Sequence, residues 1–274
     1  MRGGAHRTVG AALRSSFLVV ALIVVLFPYA WVLLSSLKSP AHLSRPGQLL
    51  FVPVLDNWVS VLSAEIPRNF LNSLFVGGVT VAVSLLVATP AAYAMAKHRA
   101  GGRGMRFGIL LSELMPPAVL VVPLFLVAFN LRMNGTLWAV MVSHLTFVLP
   151  VVTWFLIGFF EAVPKELEEQ ARVDGYGRFA AFRKVVLPQV LPGVAAAGIF
   201  GFVLSWNDLF FALILASGNT QTLPVAIAGY NTFRGVELGE MSVAILVAVV
   251  PVLVLSFFVQ KRLVRGIGGG GLKY

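Results

Sequence analysis

Apolar residues fall in six long runs, at about 16–37, 73–96, 107–129, 137–160, 191–215 and 240–260, and the stretches between them hold nearly all the charge. Each run has about 20 residues or more, the length that carries an α-helix across a hydrocarbon core of roughly 30 Å. Hydrocarbon offers the backbone no hydrogen-bond partners, so each run is expected to be helical. The pattern predicts an all-α membrane protein with six transmembrane helices in one domain over residues 1–274. Arg2, Arg7 and Arg14 precede the first run as they would in a secretory signal. That run exceeds the 7–15 residues of a signal core and no small-x-small site follows it, so it is expected to remain as the first span.

The polar stretch 161–190 between the fourth and fifth runs breaks this rhythm, holding five of the chain's eleven acids and five of its twenty-one Lys/Arg. Pro164 suits the start of a short helix, and Glu166, Glu168 and Glu169 sit near the positive end of its dipole. Gly175 suits a left-handed turn that closes it. Val163, Leu167 and Ala171 recur every four residues and form a thin apolar stripe on a charged rod. A second amphipathic stretch follows, with Phe179, Phe182 and Val186 against Arg178, Arg183 and Lys184. Elements this short build no core of their own, and the pattern reads as a docking element for another protein.

The chain is 58% hydrophobic and 12% charged, with a net charge of +10. Soluble domains carry about 25% charge. With six alternating spans, sixteen of the twenty-one Lys/Arg lie on the side of the N-terminus, and Lys38, Arg45, Arg68, Arg132 and Arg234 on the other. This asymmetry predicts that both termini are cytoplasmic. The basicity is therefore topological, and no basic aromatic platform points to nucleic acid. Cysteine is absent, which excludes a disulfide framework, a thiol nucleophile and a Cys metal site.

Polar and helix-breaking residues inside the runs mark the remaining candidates. Asp56 and Asn57 are placed to cap a short amphipathic helix through Trp58, Val61 and Leu62, either lying on the membrane surface or contacting an external partner. The second run is rich in Gly, Ala, Ser and Thr, which let membrane helices approach closely. The basic turn after it holds His98, read as a solvated loop residue. The third run carries Glu113 with Pro116, Pro117 and Pro123. Glu113 is either a functional intramembrane carboxylate or a side chain reaching the interface. His144 in the fourth run has no second metal ligand at helical spacing, so a hydrogen-bonded packing role is expected. Trp206, Asn207 and Asp208 form the most polar triplet of any run, and 217–222 opens an external loop with small polar residues. No catalytic or nucleotide-binding motif is found.

The 161–188 stretch resembles the signature loop of ATP-binding-cassette importer permeases, which reads Glu-Ala-Ala, three residues, Gly, nine residues, Ile-x-Leu-Pro. Here it is Glu169, Gln170, Ala171, then Gly175, then Val185, Leu187 and Pro188, with the spacing intact and with Gln170 and Val185 as substitutions. The likeness covers nearly the whole chain, within the carbohydrate permeases similar to the second membrane subunit of the maltose importer. It rests on Asn72 to Leu74, Ala91 to Ala94, Met115 to Pro117, Pro123 to Phe125, Ala181 to Val185, Trp206 with Asn207, Leu223 to Ile227, and the ending from Gln260 to Lys273.

This resemblance implies the six-helix fold of type I importer permeases, with a cytoplasmic coupling helix between spans four and five, in a bacterial or archaeal plasma membrane. It also implies a second permease subunit, two cytoplasmic ATPases that bind ATP and Mg, and an external solute-binding protein delivering a sugar or sugar-like solute. It further implies that the chain itself binds no cofactor or metal and catalyses no reaction. Leu167, Glu168, Glu169, Gln170, Ala171, Asp174 and Gly175 are expected to couple to the ATPase. Trp206, Asn207 and Asp208 are candidates for the solute path, against a role in helix–helix hydrogen bonding. Asn219, Thr220 and Gln221 are candidates for contact with the binding protein. Two other classes compete: an ion-coupled secondary transporter using Glu113 and Asp208, and an intramembrane enzyme assembled from Glu113, His144 and Asp208. Neither accounts for the 161–188 loop.

Overall fold

The apolar runs are helices, and their ends are set by proline and by polar residues. The computed structural model describes the backbone of residues 3–45, 47–48, 50–233 and 235–268, and the side chains of 14–45, 47–48, 50–233 and 235–257. The chain's ending from Gly269 on, used in the family resemblance, lies outside the described residues, as does Arg234. In order come α1 (Gly3–Ser36), α2 (Pro40–Leu43), α3 (Asp56–Ser63), α4 (Ile66–Lys97), α5 (Gly102–Leu114), α6 (Pro117–Asn130), α7 (Leu137–Ala162), α8 (Lys165–Val173) and α9 (Arg178–Ala181). A π-helical turn (Phe182–Val186) leads from α9 into α10 (Leu187–Trp206), followed by α11 (Phe210–Leu215), α12 (Leu223–Ala228), the two-residue strands β1 (Asn231–Thr232) and β2 (Gly235–Val236), and α13 (Leu238–Gly268).

Among the described residues, five helical stretches are long and apolar enough to cross a membrane: Arg14–Ser36, Ile66–Lys97, Leu137–Ala162, Arg178–Trp206 and Leu238–Phe257. The third expected span is two helices, α5 and α6, bent by 93°. Pro116 and Pro117 supply no N–H, and a residue before proline is pushed out of the helical region; Met115 and Pro116 are accordingly extended. The fifth span ends at Trp206, short of the expected 215, and α11 follows after a break at 207–209. The second helix starts at Ile66, before the expected 73, because Pro67 fits its first turn and polar Arg68, Asn69 and Asn72 continue it.

The chain divides into two units, Met1–Ile66 with Ile227–Val249, and Pro67–Ala226 with Val250–Tyr274. In the first, Asn57 is nearly buried and its amide donates to the carbonyls of Ser36 (3.0 Å) and Lys38 (2.9 Å), while Trp58 Nε1 donates to Ser36 Oγ (3.3 Å). Thus α3 is tied to the end of α1, and Asn57 acts inside the fold, with Leu55 rather than Asp56 or Asn57 at the cap position. The Lys38 ammonium lies over the rings of Trp31 (5.6 Å) and Phe51 (5.2 Å), which compensates its burial. Ser60 donates to Glu240 (2.6 Å). Burial, with Glu240 and Glu237 nearby, pushes the Tyr230 phenol up to about 12, so it stays neutral at physiological pH.

In the second unit α7 is the centre. Val148, Val152, Leu156 and Phe160 of α7 are fully buried with Ala88 and Ala92 of α4 and Val190 and Ala197 of α10. Gly193, Ala197 and Gly201 repeat every four residues on α10 and let it approach α7: a Cβ at Gly193 would lie 2.5 Å from the Phe159 ring, and one at Gly201 2.9 Å from Val152. Close backbone approach of this kind is what associates helices where lipid is as apolar as the side chains. A second cluster joins Val76, Val121, Ala128, Val140, Met141, Phe211 and Leu215.

The unit has two polar ends. At one, Arg106 reaches both the Met95 carbonyl (3.0 Å) and Glu161 (2.7 Å), and the Lys97 ammonium donates to the Val163 carbonyl. At the other, Gly135 N donates to the Leu215 carbonyl (3.0 Å) and Asn72 holds residues 219 and 221. The α5–α6 pair starts beside the first end and finishes beside the second. Counted as one bent span, the pair is a sixth candidate beside the five, and 97–106 and 161–165 lie at the same end of the unit.

Candidate functional site

The 161–188 stretch folds as its sequence predicts. Pro164, with ψ 139°, stops α7 from continuing and precedes α8, whose first turn holds Glu166 and Glu168 and whose last turn holds Arg172. This order of charge suits the helix dipole. At the far end Gly175 is left-handed (φ 89°), Gly175 N donates to the Arg172 carbonyl (3.1 Å), and Tyr176 N donates to the Ala171 carbonyl (3.0 Å). These are the two bonds of a Schellman closure. A Cβ at Gly175 would meet nothing within 4 Å, so conformation alone demands glycine there.

One face of α8 looks inward. Val163 and Ala171 are buried and Leu167 packs against the α4–α7–α10 core. Glu168 is 7% exposed and accepts a 2.7 Å hydrogen bond from the Tyr93 hydroxyl of α4. A hydrogen bond to a charged group is worth about 1.5–3 kcal/mol. His98 lies 3.6 Å from the same carboxylate oxygen and stacks edge-on against Tyr93, with ring centres 5.3 Å apart. It is therefore part of this contact rather than a free loop residue. The Tyr93 ring also meets Phe182 (4.6 Å) and Phe160 (5.8 Å).

The other face is open. Glu169, Gln170, Asp174 and Gly175 are exposed, beside Lys165, Glu166 and Arg172. Glu168 and Ala171 thus hold the rod, and the outward set is Glu169, Gln170 and Asp174. Sequence reasoning missed one residue of this face, Val173, which is 89% exposed, and on α9 Phe179 is 74% exposed instead of sharing the buried side with Val186. The available signal was an apolar residue out of register with the inward stripe at 163, 167 and 171.

Trp206, Asn207 and Asp208 lie at the end of α10, and they separate by environment. Trp206 is buried, stacked with Phe202 (5.5 Å) and edge-on to Phe70 (5.5 Å). Asp208 receives His144 Nε2 at 3.0 Å and the Ala212 N–H at 3.2 Å, and His144 Nδ1 lies 2.7 Å from Ser205 Oγ. With Nε2 as donor to Asp208, Nδ1 is left to accept from the Ser205 hydroxyl. Asn207 is exposed, with its amide turned back to the Val203 carbonyl (2.9 Å). A cavity of about 210 Å³ is lined by Glu113, Met115, Pro117, Phe147, Asp208 and Phe211. It brings Glu113 and Asp208 to one space. Among the described residues no three His, Asp or Glu side chains gather as metal ligands do.

The 217–222 loop is pinned rather than loose. Asn72 Nδ2 donates to the carbonyls of Asn219 (2.8 Å) and Gln221 (2.9 Å), Thr220 Oγ1 donates to the Gly135 carbonyl (2.9 Å), and Ser73 Oγ accepts from Leu223 N (2.8 Å). Asn219 is exposed at its tip, while Thr220 and Gln221 are half-buried.

Residues 80–269 match the model of the family described as binding-protein-dependent transport system inner membrane component. The chain is 35% identical to the sulfoquinovosyl glycerol transport system permease protein of Agrobacterium fabrum over 96% of this chain and 94% of that one. It is 32% identical to the trehalose transport system permease protein of Mycobacterium tuberculosis, over 90% and 92%. Among solved structures, a chain of a bacterial ABC transporter that imports the acidic polysaccharide alginate superposes with a TM-score of 0.74 at 22% identity, covering 95% of this chain and 98% of that one. The inward-facing methionine ABC transporter gives 0.61 at 18% identity, over 77% and 98%. The all-α fold is thus that of type I ABC importer permeases, and the chain belongs to the family of binding-protein-dependent transport system inner membrane components.

Proposed function

We propose that this chain is one of two permease subunits of an ATP-driven importer of a sugar or sugar-like solute, in the plasma membrane of a bacterium or archaeon. Both termini and α8 face the cytosol. Two ATPase subunits bind ATP and Mg and grip α8, and an external binding protein delivers the solute. The observation that carries this reading is α8 itself: a short rod, anchored inward by Glu168, Leu167 and Ala171, ended by Gly175, and bare outward at Glu169, Gln170, Val173 and Asp174, with Phe179 exposed on α9 after it. ATPase closure supplies the differential binding energy that shifts the spans between inward- and outward-open forms. The sugar class is supported by relatives named for trehalose, sulfoquinovosyl glycerol and diacetylchitobiose.

Asn207, exposed at the break after α10, is the member of the triplet free to meet solute, while Trp206 and Asp208 shape the break around it. Asn219 is the residue of the external loop best presented to the binding protein, with Asn72 holding its carbonyl and that of Gln221, and Thr220 tied to Gly135. An Asn207→Ala variant with unchanged sugar selectivity and rate would remove it from the solute path.

The ion-coupled alternative has one observation in its favour, the cavity shared by Glu113 and Asp208. It leaves the open face of α8 without a role, and it predicts uptake that stops when ion gradients collapse while ATP remains. The test of the main reading is co-purification of the tagged chain from its own membranes. A second permease, an ATPase and a binding protein that takes up a sugar from a panel are expected; a complex without an ATPase overturns it.

A further inference from the structure

Covalently, α8 is joined only to α7 through residues 163–164 and to α9 through 174–177. Motion of the rod should then reach the fourth and fifth spans first. The structure adds a third attachment, to the end of α4, which is far away in sequence. Glu168 faces inward with its carboxylate on the Tyr93 hydroxyl at 2.7 Å, and His98 closes on both, 3.6 Å from Glu168 and 3.4 Å from the Tyr93 oxygen. The Tyr93 ring is at the same time wedged between Phe160 of α7 and Phe182 of the π-helical turn, so one side chain touches the second span, the fourth, the rod and the entry to the fifth. An exposed ion pair would yield under load, but both Tyr93 and Glu168 are over nine-tenths buried.

We propose that Tyr93 and Glu168 are positioning residues that carry movement of α8 to the end of α4, so that rod and second span move as one body. This rests on the reading of α8 as the element gripped by the ATPases. Glu168 then serves the motor indirectly, through α4, and Glu169 on the next position faces outward to meet it. Without the bond, α8 keeps its links to α7 and α9 and the Lys97–Val163 contact at its base, and the body of the rod no longer moves with the second span.

The chain has no cysteine, which permits a direct test. In the assembled transporter, spin labels at Ala100→Cys, exposed just past α4, and Lys165→Cys, exposed at the start of α8, report the distance between the two bodies with and without trapped ATP. The parent distance is expected to stay the same in both states. In Tyr93→Phe, which keeps the ring against Phe160 and Phe182, and in Glu168→Ala, trapping ATP is expected to shift or broaden the distance on the order of 2–5 Å, the scale of helix displacements in switching proteins. Glu168→Gln, whose amide oxygen still accepts from the tyrosine, is expected to hold the parent distance. The proposal fails if Tyr93→Phe and Glu168→Ala match the parent in both states, if Glu168→Gln behaves as Glu168→Ala, or if the parent distance itself changes with ATP. Failure of the underlying reading looks different: no ATPase would be retained by the parent complex, and no nucleotide-dependent distance would be seen anywhere in it.

Discussion

His144 shows how one buried residue decides the behaviour of its neighbours. It is fully buried, with Ser205 on one ring nitrogen and Asp208 on the other. Removing it strands a carboxylate and a hydroxyl where water has little access. We expect His144→Ala to cost roughly 2–3 kcal/mol, the penalty of an unsatisfied buried charged group. Asp208→Asn keeps an oxygen for His144 Nε2 and for the Ala212 N–H, and should cost about 1 kcal/mol, near the worth of a hydrogen bond between membrane helices. Thermal unfolding of the purified chain in detergent measures both, and an Asp208→Asn variant less stable than His144→Ala would refute this account of the pair. Glycines on α7 and α10 give a second comparison. Gly193→Ala drives a methyl into the Phe159 ring and should destabilise by about 1–3 kcal/mol. Gly158→Ala meets open space and should be neutral or stabilising by up to about 1 kcal/mol.

At the scale of elements, α8 and the 217–222 loop make opposite demands on their anchors. Gly175→Val places a β-branched residue in the left-handed turn, a strain of about 1–2 kcal/mol. The rod should stay helical but lose its fixed exit, so ATP hydrolysis persists while uptake falls; unchanged uptake per ATP would count against the lever. Asn72→Ala releases the backbone of residues 219 and 221, and a spin label at Asn219→Cys should become more mobile, whereas an unchanged spectrum would mean that Thr220 and Ser73 suffice. The rod was legible in the sequence because its signals are local: a proline, acids in the first turn, a four-residue stripe and a glycine. The break of the third span was half legible, since Pro116 and Pro117 announce an interruption but not a 93° turn. The roles of Asn72, Tyr93 and His98 were not legible at all. Each depends on a partner 70 to 149 positions away or on a ring packed from another helix, and single-helix periodicity carries no such information. For the same reason Glu168 reads as one more outward acid until its neighbour Tyr93 is seen.

For the whole molecule, the decisive quantity is the side on which each end of the spans lies. The charge asymmetry predicts a cytosolic position for the sixteen Lys/Arg on the side of the N-terminus. The structure sharpens this, because Arg106 joined to Glu161 and Met95 fixes 97–106 and 161–165 at one end of the second unit, and Asn72 joined to 219 and 221 fixes the other. The proposed topology puts these two ends on opposite sides of the membrane. Single cysteines at Ala100, Lys165 and Asn219, in a chain with no other thiol, should therefore label with a membrane-impermeant maleimide in two classes. In right-side-out vesicles Asn219→Cys should react at once, while Ala100→Cys and Lys165→Cys should react only after permeabilisation. Lys165→Cys should also become protected when the ATPases are bound, and Ala100→Cys should not, since only the former lies on α8. Reaction of Lys165→Cys from outside intact vesicles would put the rod on the wrong face of the membrane for any nucleotide-driven partner, and the coupling role would fall with it.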